Sequence, residues 1–128
     1  MAERGGLEGT EAELMPTFED VRRIALGLPE VEEVLTWGTD VTFRVRSKIF
    51  VIGGDGATRA SIKSTPFVQA DLIERDPDTF ASAAYVGRFG WVTVDLERID
   101  PAELESLIRA AWRQTAPKRL ASTLPAEP

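Results

Sequence analysis

The chain contains no cysteine and no histidine among its 128 residues. Disulfides, thiol nucleophiles, the usual zinc sets, haem and iron–sulfur ligation and every histidine-based triad are thereby excluded. Long apolar runs are missing too, since none is longer than Ile49 to Ile52, far too short to span a bilayer. The opening residues lack the basic-plus-apolar pattern of a signal peptide, so a cytoplasmic location is expected. Positive charge is scarce: 15 Lys and Arg stand against 21 Asp and Glu. Such a balance argues against coating nucleic acid through a bulk basic field.

What remains suits one globular domain, with 43% hydrophobic and 28% charged residues and enough length for a core that needs neither disulfide nor metal. Residues 1–16 are rich in Gly and Glu and poor in core-forming side chains, which predicts a disordered leader. Residues 17–120 are expected to form the domain. Residues 121–128 read as a flexible tail, with fraying expected from Pro117 onward.

Three helices announce themselves. Thr17 precedes the acidic pair Glu19 and Asp20, and Val21, Ile24, Ala25 and Leu28 follow at helical spacing until Pro29 stops the pattern. Thr65-Pro66 opens a second helix toward Arg75, and Asp100-Pro101-Ala102-Glu103 opens a third, with the stripe Leu104, Leu107, Ile108, Ala111 and Trp112.

Between them the period changes to two. Val41, Phe43 and Val45 alternate with Thr42, Arg44 and Arg46, and Ser47-Lys48 reads as a tight turn into the strand Ile49 to Ile52. Gly53 to Gly56 reads as a hairpin turn before a strand at Ala57 to Lys63. Trp91 to Leu96 forms a last strand, Val31 to Trp37 a less regular first one, and Phe80 to Gly90 has no clear assignment. The fold class predicted is α+β: an antiparallel sheet of four to five strands with helices on one face and the other face at least partly open.

Chemistry is thin. The Gly53–Gly56 segment lacks the Lys-Ser/Thr of a phosphate loop, and Ser61 with Lys63 has no oxyanion hole to make it a nucleophile pair. No catalytic residue, cofactor or metal ligand is predicted, and the chain is read as a non-enzyme. The informative feature is a local basic stretch, in which Arg44, Arg46, Lys48, Arg59 and Lys63 stand against Asp55 alone between Val41 and Lys63. On adjacent strands these cations gather on one sheet face and hold phosphates or a carboxylate; the competing account is an ordinary solvated face. Trp37, Tyr85, Phe89 and Trp91 form a candidate aromatic set beside the basic stretch; of these Trp37 and Tyr85 are the candidate stacking groups, while Trp91 and, on the last helix, Trp112 read as core.

Several of these residues resemble the MmcQ/YjbR family of small bacterial proteins: Thr17 to Arg22, Leu28-Pro29, Trp37-Gly38, Thr42 to Arg46 with Lys48 to Phe50, Ser61 to Lys63, Tyr85 to Gly87, Trp91-Val92, and Trp112 before Pro117 to Leu120. The resemblance implies a fold similar to the frataxin homologue CyaY and a role in contacting DNA. Where many relatives carry proline or histidine after the Trp-Gly pair, this chain has Thr39-Asp40. Two functions remain open at this stage. One is nucleic-acid contact through the five cations; the other is binding of an anionic small molecule or an acidic protein segment, with no membrane role.

Overall fold

The computed structural model describes residues 15–125. Residues 1–14, most of the expected leader, and 126–128 lie outside them. Helix α1 (Phe18–Leu26) leads into strands β1 (Val31–Thr36), β2 (Asp40–Val45), β3 (Lys48–Gly53) and β4 (Arg59–Ile62). Helix α2 (Pro66–Arg75), strand β5 (Phe80–Ser82), a 3-10 turn at Gly87–Phe89, strand β6 (Val92–Asp95), helix α3 (Pro101–Thr115) and the short α4 (Lys118–Ala121) complete the chain.

The helices start where local chemistry satisfies their first N–H groups. Thr65 Oγ1 accepts from the Val68 N–H at 3.2 Å, and Asp100 accepts from Ala102 and Glu103 at 3.0 and 3.2 Å. At α1 the Asp20 carboxylate accepts the Thr17 N–H at 2.8 Å.

One antiparallel sheet runs in the order β1-β2-β3-β4-β6-β5. It has six strands, one or two more than predicted, because the unassigned segment supplies β5, which pairs with β6 through Phe80↔Val94 and Ser82↔Val92. On the helix-covered side Val41, Phe43, Val45, Val51, Ile62, Val92 and Val94 are buried against Val21, Leu104, Ile108 and Trp112. The opposite face aligns Val34, Thr42, Ile52, Ser61, Thr93 and Ala81 across the strands.

Two local departures from simple alternation shape the centre. Arg46 and Ser47 both adopt positive φ (50° and 70°), so the turn closes on Arg46-Ser47, one residue earlier than expected. The register then slips between Phe43 and Arg44: Phe43 faces Val51 but Arg44 faces Ile49. Phe50 is the extra, bulged residue, which lets Phe50 and Val51 both bury completely.

The end of the chain also departs from expectation. Leu120, Ala121 and Leu124 pack against the core, so order extends past Pro117 into the segment predicted to be a flexible tail. Pro16, placed in the leader, is buried.

Candidate functional site

Strand direction decides where each predicted cation goes. Because β2 descends, turns at Arg46-Ser47 and climbs through β3, Arg44, Arg46 and Lys48 all sit at one end of the sheet. Strand β4 descends again toward that end, which places Lys63 there, just past Ile62. Arg59 opens the same strand and therefore lies at the opposite end, facing Asp95 of β6. Arg46, Lys48 and Lys63 thus share an end rather than a face; Arg44 starts there but its guanidinium reaches back over the sheet to Thr36 beside the β1–β2 turn, and Arg59 leaves the group.

Their surroundings differ. Arg44 lies half-buried on the uncovered face, where its Nε donates to Thr42 Oγ1 at 3.0 Å and its Nη2 to Thr36 Oγ1 at 2.9 Å. Thr42 in turn donates to the Val34 carbonyl at 3.0 Å. Arg46, in the turn, is held by Glu30, whose carboxylate takes Nε and, at 3.1 Å, Nη2. The Arg46 guanidinium beside it keeps the Glu30 carboxyl below the usual carboxylate range. The bulge pairs Lys48 with Val45, away from the row of Arg44, and leaves its side chain exposed. Among the described residues no carboxylate lies within ion-pair distance of Arg44, Lys48, Arg59 or Lys63.

The two predicted stacking groups separate in the same way. Trp37, 70% exposed and at positive φ, sits in the β1–β2 turn at the Arg59 end, whereas Tyr85, 96% exposed and at φ 64°, sits in the β5–β6 loop at the Arg44 end. Trp91 and Trp112 are buried, and Trp112 Nε1 donates to the Pro29 carbonyl at 3.0 Å.

Charge is polarised along the strands. At the Arg59 end lie Asp40, Asp55, Asp76, Asp78, Asp95 and Glu97, together with the acidic first turns of α1 and α3. Here a single guanidinium, Arg22, holds Glu33 at 3.0 Å, Asp55 at 2.5 Å and Glu19, and those hydrogen bonds keep it protonated far above its ordinary range. An open cavity of about 410 Å³ at this end is lined by Arg59, Ser61 and Thr93 but also by Asp40 and Asp55.

The other end holds Phe89, one of the candidate aromatics, and gains two residues that sequence reasoning missed, Arg88 and Phe67. Arg88 stacks over the Phe89 ring at 4.8 Å, while Phe67 is 82% and Phe89 59% exposed. Gln114 donates to the Ser64 carbonyl at 3.1 Å, so α3 also ends here, and Lys118 and Arg119 follow. The available signal was an absence: residues 41–50, 56–70 and 79–94 contain no acid at all. Each contributes a turn or strand end to this pole.

The β5–β6 loop that carries Tyr85 and Arg88 is anchored. Gln69 Nε2 donates to the carbonyls of Gly87 at 2.8 Å and Trp91 at 2.7 Å. Gly90, at φ 102°, comes so close to the Thr65-Pro66 peptide that an added Cβ would lie 2.6 Å from the Thr65 carbonyl carbon. Phe89 and Phe67 therefore flank a tight backbone contact between the loop and the start of α2.

A family model described as YjbR matches residues 26–114, from the end of α1 through most of α3. The chain belongs to the YjbR family. The match takes in Lys63 and Arg88 of the basic end of this YjbR domain, and stops short of Lys118 and Arg119. The fold is similar to the crystal structure of Deinococcus radiodurans protein DR2400, a DUF419 domain, with a TM-score of 0.71, 24% identity and 78% of each chain covered. That likeness concerns the fold. No curated protein matches the sequence. Among the described residues no helix is long and apolar enough to cross a membrane, and no group of three or more acidic side chains is arranged to hold a metal.

Proposed function

We propose that this YjbR domain is a non-catalytic binding module that meets nucleic acid with its basic end. The observation that carries the reading is the separation of charge: among the described residues Asp40, Asp55, Asp76, Asp78, Asp95 and Glu97 lie at one pole, while Lys63 and Arg88 stand at the other without a carboxylate partner and the loop carboxylate there, Glu30, is taken by Arg46. An anionic polymer is attracted to one pole and repelled from the other, so approach is restricted to one orientation despite the net charge of −6. The alternative, a pocketed anionic small molecule, is less favoured because the cavity that offers Arg59 also offers Asp40 and Asp55.

The test is fluorescence anisotropy of the whole chain with short labelled DNA at low ionic strength. Binding is expected there and should fall steeply as salt rises. Replacing Lys63 and Arg88 together by Ala should abolish it. No binding even at low salt would end the nucleic-acid reading, and stabilisation by anionic metabolites in a thermal-shift screen would replace it with the small-molecule one.

A further inference from the structure

We infer that the basic end is a stacking platform for unpaired bases, with Phe67, Tyr85 and Phe89 meeting base faces and Lys63 and Arg88 meeting phosphates. This rests on the nucleic-acid reading above and specifies the strand state it requires. Among the described residues, the exposed aromatic side chains are Trp37, Phe67, Tyr85 and Phe89, and all but Trp37 are at this end. A large aromatic left in water forgoes roughly 2 kcal/mol of burial, so three exposed rings at one pole leave apolar area that a flat partner would cover.

The surface is built rather than loose. Gln69 clamps the loop through two carbonyls, and the Gly87 N–H returns to the Ala83 carbonyl at 2.9 Å. Gly90 locks the loop against the Thr65-Pro66 peptide. Tyr85 is held at positive φ, a conformation a bulky residue adopts only when its surroundings impose it, and its ring is almost wholly in solvent. Backbone fixed in this way needs no further ordering when a flat partner lands on the rings it carries.

Charge and ring chemistry together select the occupant. Residues 56–70 and 79–94 contribute Lys63 and Arg88 and no acid below β4 and β6, which suits an anion. Aromatic faces carry negative quadrupole density, so they favour the π-face of a base over the carboxylates of an acidic peptide. In a duplex the base faces are already stacked on each other, and the three rings would have nothing to cover. An unpaired strand offers both phosphates and open bases.

The experiment compares three labelled probes of about ten nucleotides, within the span of known single-strand sites: a thymidine oligomer, an abasic oligomer of equal charge, and a duplex. The thymidine strand should bind at least tenfold more tightly than either of the others. Phe67→Ser and Phe89→Ser should each weaken it by roughly tenfold, leave the abasic probe unaffected and leave the salt slope unchanged. Both side chains are exposed, and thermal melting of each variant confirms that the fold is retained. Equal affinity for the abasic strand or the duplex overturns the stacking platform while leaving phosphate contact in place. Equal affinity for a polyglutamate peptide also overturns it. Failure of every nucleic-acid probe at low salt removes the reading beneath it.

Discussion

Glu30 and Arg46, both in positive-φ backbone, close a two-pronged ion pair across the bottom of the β1–β2 hairpin. The pair takes one expected cation out of the basic end. Glu30→Gln should return it: the log–log salt slope for a single strand should steepen by about 0.7, one added phosphate contact. The same pair sets a pH dependence. Its hydrogen bond to Arg46 lowers the folded Glu30 carboxyl, so the pair's stabilisation is complete above the ordinary carboxylate range and is lost as pH falls through the lowered value. The difference in Tm between the parent and Glu30→Gln should therefore shrink toward strongly acidic pH, and a difference that grows there would contradict the assignment.

Gly90→Ala should be the most costly small substitution in the β5–β6 loop. It combines an unfavourable φ with a backbone clash, and urea denaturation should show a loss of about 2–4 kcal/mol. Gly38 is the control. It also has positive φ (80°), but a Cβ added there would meet nothing within 4 Å, so Gly38→Ala should lose only about 1 kcal/mol.

Gln69→Ala removes the donor that serves two carbonyls. The expected cost is about 1–2 kcal/mol, with faster amide hydrogen exchange confined to residues near 83–90. Unchanged exchange in that loop would mean that Gly90 alone holds it.

Arg22→Ala should release the β3–β4 loop at the acidic end. Most of the loss should come from the Glu33 pair, whose side chains are 21% and 30% exposed, because Asp55 and Glu19 at 74% and 69% are screened by solvent. A decrease of about 1–2 kcal/mol is expected, with increased exchange around Asp55 and no change in binding at the opposite pole.

The helices were legible because their starts are written locally: Thr65-Pro66 and Asp100-Pro101 name both the cap and the first helical residue. The strand Val41 to Val45 was legible from its alternation. The Arg46-Ser47 turn was not, since neither residue is the Asn or Gly that usually marks paired positive φ. Strand β5 is three residues long and exists because β6 lies beside it, a long-range partner that no local window contains. The candidate site was half legible for a related reason. Sequence alternation told which side chains leave the core, but which end of the sheet they reach depends on how many strands separate them, and that sent Arg59 and Trp37 away from Lys63 and Tyr85.

The central claim is that cation position along the strand axis, rather than cation count, governs binding. The most direct measurement is the salt dependence of single-strand affinity for Lys63→Ala beside Arg59→Ala, two variants of equal charge at opposite ends of β4. The account predicts that Lys63→Ala weakens binding and flattens the log–log slope by about 0.7, while Arg59→Ala leaves both unchanged. Equal effects from the two variants would contradict it.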